Sequence, residues 1–238
     1  MNPLQFELDR LYGLGANAAH GAPSAAAQGV RALVLELRPP AGWAQLSSVW
    51  TGVQSDLGFP PPAIAVSGVD ALQLWFSLAS PTLPRAGELF LQGLRERYLP
   101  DVGSTHVRLI ADAAQLPSAP PLETSPDRWS AFVAPDLASV FADTPWLDLP
   151  PNAEGQASLL HALEPIGQVA LDAALSQLGV VEEAPTGLKP SGLPEVPSSE
   201  QGGADAERFL RRVMNDESVP MALRIEAAKG LLGHAKRS

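Results

Sequence analysis

Along the chain, apolar side chains switch between a period of two and a period of three to four. Residues 30–38 alternate, with Leu33, Leu35 and Leu37 on one face and Ala32, Val34, Glu36 and Arg38 on the other, and Pro39-Pro40 ends the run. This pattern predicts a strand. From 42 to 57 the positions Trp43, Leu46, Val49, Trp50, Val53 and Leu57 recur every three or four residues, an amphipathic helix closed by Gly58. Residues 63–66 and 72–78 read as two strands joined by the turn Ser67-Gly68-Val69-Asp70, with Leu72, Leu74, Phe76 and Leu78 alternating against Gln73, Trp75 and Ser77. The helical period returns over 84–99, and 106–111 is a further strand.

The resulting order, βαββαβ over residues 30–111, predicts the α+β class. Its expected form is the split-βαβ, ferredoxin-like and RRM-like arrangement of an antiparallel sheet with both helices on one face. The leucine faces then meet the helices. Glu36, Arg38, Gln73, Trp75 and Ser77 project from the opposite face, expected to be open. A helix over 3–11 precedes this unit, separated by the Gly-, Ala-, Ser- and Pro-rich stretch 13–29. After it come a Pro-rich loop, an added strand over 128–133, a short helix over 136–142 with Asp136 as its N-cap, and helices over 154–178 broken near Pro165. Trp129, Phe132, Phe141 and Trp146 read mostly as core, with one tryptophan a candidate for a partner surface. His106 reads as a solvent-facing residue opening its strand.

Pro and Gly occupy eight of the 23 positions of 182–204, where no apolar period survives, so this stretch reads as a flexible linker. Beyond it, 204–215 and 219–234 read as a helical hairpin, with Arg208, Arg211 and Arg212 as its candidate interaction side chains. The expected organisation is a core over 1–181, the linker over 182–204 and the hairpin tail over 205–238.

The formal charge of −10 disfavours non-specific coating of nucleic acid, which relies on many Lys and Arg contacts to phosphate. Residues 205–238 carry seven basic and five acidic side chains, so the tail is basic while the remainder is strongly acidic. With no cysteine and four scattered histidines, neither a disulfide framework nor a structural zinc site is expected, and no metal ligand or cofactor site is assigned. The chain holds no apolar run long enough to span a membrane and no secretory pattern at its start, which places it by default in the cytoplasm with no membrane partner. Gly-x-Ser-x-Gly, P-loop and dinucleotide fingerprints are all missing.

Two short segments carry a resemblance. Leu33-Val-Leu-Glu-Leu-Arg-Pro-Pro40, followed by a helix and then Ala65-Val-Ser-Gly-Val-Asp-Ala-Leu-Gln-Leu-Trp-Phe76, resembles the catalytic core of archaeo-eukaryotic-type primases and the polymerase domains of bacterial DNA-repair ligases. The likeness covers roughly residues 30–100. It implies a metal-binding acid at Glu36, with a second acid expected where Arg38 stands. It also implies a nucleotide-contacting hairpin beginning Ser67-Gly68, in which Ala71 replaces a glycine and Gln73 a histidine. An arginine among the acids repels the divalent cations that two-metal nucleotidyl transfer needs.

The reading is therefore a non-catalytic primase-like binding module in a nucleic-acid-related process, using Glu36, Arg38, Ser67, Gly68, Gln73 and Trp75, with a tail that recruits a protein. Three alternatives stand beside it. One is a protein–protein adaptor that shares only the layout. Another is an active nucleotidyltransferase with carboxylates not aligned here, and the last is a sheet on which Trp75 and Arg38 stack single-stranded bases.

Overall fold

The computed structural model describes residues 2–14 and 29–179, all within the unit Met1–Ala184. The expected linker over 182–204 and hairpin over 205–238, with Arg208, Arg211 and Arg212, lie outside the described residues. Six strands form one antiparallel sheet: β1 (Val30–Leu37), β2 (Ala63–Val66), β3 (Leu72–Thr82), β4 (Val107–Ile110), β5 (Leu122–Ser125) and β6 (Arg128–Val133). Their order across the sheet is β4-β1-β3-β2-β6-β5. Among the described residues five α-helices accompany them: α1 (Pro3–Tyr12), α2 (Trp43–Ser55), α3 (Pro84–Tyr98), α4 (Ala153–His161) and α5 (Gln168–Gln177). The chain is α+β, as expected.

The leucine alternation acts as its period dictates. Leu33, Leu35 and Leu37 of β1 and Leu72, Leu74, Phe76 and Leu78 of β3 pack against Leu46, Val49 and Val53 of α2, Phe90, Leu91 and Leu94 of α3, and Leu171 of α5. Pro39 and Pro40 end β1 because a strand needs an N–H that proline lacks. The ends of α2 and α3 approach so closely that a Cβ on Gly52 would fall 2.3 Å from the Tyr98 ring. Asp56, just past α2, accepts hydrogen bonds from Tyr98 Oη at 3.1 Å and Arg97 at 3.2 Å.

β5 was not expected. Its four residues are all exposed, so they carry no alternation to read, and the hairpin to β6 turns on Asp127 at φ 58°, a conformation Asp tolerates better than most residues. The short helix over 136–142 is instead a 3-10 turn, Ala138–Phe141, and Asp136 does not cap it.

The second sheet face is closed, which corrects the open face expected from the sequence. Leu4, Leu8, Leu11 and Tyr12 of α1, with Ala157 and Leu160 of α4, bury Ala32, Val34, Ala65, Trp75, Ile110 and Phe132. Burying each of these leucines is worth about 1.5–3 kcal/mol. Two polar clasps hold the cover. Gln156 of α4 accepts from the Phe132 N–H at 2.7 Å and donates to the Phe132 carbonyl at 2.9 Å, completing β6 where β5 no longer reaches it. Glu7 of α1 pairs with Arg10 and with His161 Nδ1 at 2.8 Å, while Arg10 donates to the carbonyls of Leu160 at 3.0 Å, in the last turn of α4, and of Leu163 at 3.1 Å, just past it.

Burial alone would raise the Glu7 carboxyl, but hydrogen bonds from His161 and Arg10 outweigh it and hold the group below its ordinary value. A lowered carboxyl stabilises the fold at pH above the unfolded value and loses that contribution as pH falls through the folded one. Glu7→Gln should therefore cost about 2 kcal/mol at pH 7. In urea titrations the gap to the parent chain should narrow steadily as pH drops below about 4.5, the ordinary carboxyl value. A gap independent of pH would remove Glu7 ionisation from the clasp.

Candidate functional site

Strands β1 and β3 lie side by side, with Val34 opposite Trp75 and Glu36 opposite Gln73. Because residues paired across an antiparallel ladder share a face, the polar positions of the two strands converge. The Trp75 indole N–H donates to Gln73 Oε1 at 2.9 Å, and Gln73 Nε2 donates to Glu36 Oε2 at 2.9 Å. Arg38 reaches back over Glu36, its Nη2 2.9 Å from Oε1, in a direction that makes an ion pair but no hydrogen bond. Its Nε lies 3.8 Å from Asp70 Oδ1. Thus Trp75, Gln73, Glu36, Arg38 and Asp70 form one continuous polar file from the core to the surface.

Burial along the file is graded. Trp75 is fully enclosed, with Tyr12 edge-on at 5.5 Å and Phe132 at 6.0 Å between ring centres. Gln73 is 3% exposed and Glu36 4%, whereas the Arg38 side chain is 46% exposed. The Tyr12 hydroxyl is buried with no partner, and burial pushes its pKa well up. The sequence therefore placed Glu36, Arg38, Gln73 and Trp75 together correctly, but their shared surface is not a groove. A nucleobase cannot stack on a tryptophan held beneath α1, so the base-stacking alternative fails at Trp75.

Ser67 and Gly68 serve the turn itself. The Ser67 hydroxyl accepts from the N–H groups of Val69, Asp70 and Ala71 at 2.9–3.2 Å, a local arrangement common for serine at turns. Gly68 adopts φ +81°, and a Cβ there would strike Thr124 and the Ser130 N–H at 2.7–2.8 Å. Its carbonyl accepts from Thr124 Oγ1 at 2.6 Å, and its N–H donates to the Pro145 carbonyl at 2.9 Å. The hairpin tip is stitched to β5 through Gly68, while Val69 and Asp70 remain exposed. His106 ends a 3-10 turn, half-buried rather than fully solvent-facing, and its carbonyl accepts from the Arg38 N–H at 2.9 Å.

The residues do not fit a divalent cation. Both oxygens of Glu36 are engaged, one by an amide and one by a guanidinium, and no group of three or more His, Asp and Glu gathers among the described residues. No helix among them is long and apolar enough to cross a membrane.

Two hollows lie away from the file, and neither was found from the sequence. One, of about 380 Å³, opens at the end of the sheet where β2 begins and β6 stops, between Trp50 of α2 and Leu159 of α4. The other is lined by Phe141, Trp146, Leu147 and Leu149, with the Arg128 guanidinium 4.1 Å above the Trp146 ring. Of the four aromatics read as core, Phe132 is buried while Trp129, Phe141 and Trp146 are half-buried. The tryptophan candidate for a partner surface is thus best matched by Trp146.

If the polar file acts as a unit, its centre matters most. Gln73→Leu strands the Trp75 N–H and one Glu36 oxygen in the core and should cost about 3 kcal/mol in urea unfolding. Glu36→Gln keeps an acceptor for Gln73 and should cost less than half as much; equal losses would mean that the bonds act separately. Compared with family models, curated proteins and solved structures, the chain has no match.

Proposed function

We infer that this chain is a non-catalytic binding module, a protein–protein adaptor carried on a ferredoxin-like layout and without nucleotide chemistry. One observation carries the reading: the buried acid on the candidate face, Glu36, is ion-paired with Arg38 and hydrogen-bonded by Gln73 beneath a face that α1 and α4 have closed. A polymerase needs the reverse, with exposed clustered carboxylates and a cleft for a template. The layout rests on the order β4-β1-β3-β2, with α2 and α3 as crossovers packed on the leucine face and β6 and β5 added beyond β2. Fold alone licenses no activity, so the adaptor role rests on the exposed apolar hollows and not on the topology.

A second reading is a polymerase core that has lost its catalysis. It is favoured by the direct hydrogen bond between Glu36 and Gln73, the two positions where the resemblance implies a metal-binding acid and a nucleotide-contacting histidine. The two readings separate at Arg38. Under descent from a polymerase, Arg38→Asp restores the acid pair and should generate a calorimetric Mn²⁺ site that the parent chain lacks. Under the adaptor reading the variant gains no site.

Both readings expect no chemistry. The full chain, given a primed template, deoxynucleotides and Mn²⁺, should extend nothing. It should also retain a protein partner from extract of its own cells after nuclease treatment. Extension that Glu36→Ala abolishes would overturn the inference, as would retention that disappears with the nucleic acid.

A further inference from the structure

We propose that the outer edge of β4 is the docking surface of this adaptor, and that its occupant is an extended segment of a partner protein, added antiparallel as a further strand, with carboxylates on one face and apolar side chains on the other. This rests on the adaptor reading and specifies its surface and its ligand.

β4 ends the sheet order, and among the described residues no strand lies beyond it. Which of its backbone groups face outward follows from its pairing with β1. The Arg38 N–H donates to the His106 carbonyl at 2.9 Å, and the alternation of an antiparallel ladder then makes Glu36 with Arg108, and Val34 with Ile110, the next hydrogen-bonded pairs. Val107 and Leu109 lie between them, so their N–H and C=O groups turn away from β1. No other backbone group among the described residues meets them. The opposite edge of the sheet differs. β5 carries a register shift between Glu123 and Ser125, a distortion that blunts an edge against further pairing.

The side chains of this edge supply the sign of the partner. Arg108 is exposed and forms no ion pair among the described residues. Across the ladder it faces Glu36, whose charge Arg38 already answers at 2.9 Å. Arg38 is itself 46% exposed, with Asp70 at 3.8 Å as its only other acid. On the opposite face Val107 is buried and Leu109 half-buried against the leucine cluster. In an antiparallel addition, the residues that hydrogen-bond Val107 and Leu109 set their side chains beside those two, and the residue between them stands close against Arg108. Apolar, acidic, apolar is the matching order. A second copy of this chain does not match, because the register that bonds Val107 to the Leu109 of another copy sets Arg108 against Arg108.

The probe is a fluorescein-labelled peptide of alternating valine and glutamate, titrated with the full chain and read by anisotropy. It should bind, and replacing its glutamates by lysine should weaken binding about tenfold or more. N-methylation of the valines removes the donors aimed at β4 and should abolish binding. N-methylation of the glutamates, whose N–H groups point away, should leave it within about twofold. Arg108→Glu should reverse the preference in favour of the lysine peptide and leave the melting temperature unchanged, since the side chain is exposed. No binding, equal binding of the lysine peptide, binding that survives valine N-methylation or Arg108→Glu, or displacement of the peptide by a single-stranded oligonucleotide would each overturn the proposal. If the Arg108→Glu chain still retains the nuclease-insensitive partner from extract, the edge is wrong while the adaptor reading stands; if the parent chain retains no such partner, that reading itself has failed.

Discussion

The structure depends on covering its sheet twice. Every residue of β1 except Arg31 is buried, as are Leu72 to Leu78 of β3, so the two central strands carry apolar side chains on both faces. For the leucine face the solution is local: α2 and α3 lie between consecutive strands in the chain, and their crossovers deliver them to that face. The other face has no such neighbours. It relies on α1 and α4, which lie some 140 residues apart along the chain, and on the clasps that join them to each other and to β6 through Glu7, Arg10, His161 and Gln156. Long-range closure of this kind demands specific polar contacts, because apolar area alone would let α1 slide along the sheet.

The closed face dictates the chemistry beneath it. A carboxylate such as Glu36, buried among Ala, Val and Trp, is tolerated only when its charge is answered. Arg38 answers it from the surface, its guanidinium on Oε1 and its stem reaching back along β1, and Gln73 transmits the remaining acceptor demand inward to the Trp75 N–H. The pattern Glu-x-Arg at the end of β1 thereby becomes structural. A second acid at position 38 would remove the cation that Glu36 pairs with and put another negative charge beside Asp70.

Much of this was legible in the residues. The leucine alternation fixed which side of β1 and β3 meets α2 and α3, and it brought Glu36, Arg38, Gln73 and Trp75 onto one face. The fate of that face was not legible. Periodicity reports which way a side chain points and is silent about which distant segment covers it, and Ala32 with Val34 fit a half-solvated strand as well as a buried one. β5 escaped because an exposed four-residue edge strand has no period, and its pairing depends on Thr124 and Ser130 meeting the Ser67–Gly68 turn. Ser67 and Gly68 looked like a candidate contact for the same reason that they make a good turn: a hydroxyl that accepts local N–H groups and a residue free to adopt positive φ.

The hollow at the β2–β6 end follows from the same double cover. Helices spread over a sheet's faces protect side chains but cannot protect the ends of its strands, where backbone groups must find partners or be removed. Prolines at 60–62 and 135 bound β2 and β6 there, because proline brings no N–H to continue the ladder. The hydrocarbon of Trp50, Leu159 and Leu163 lines the hollow left there.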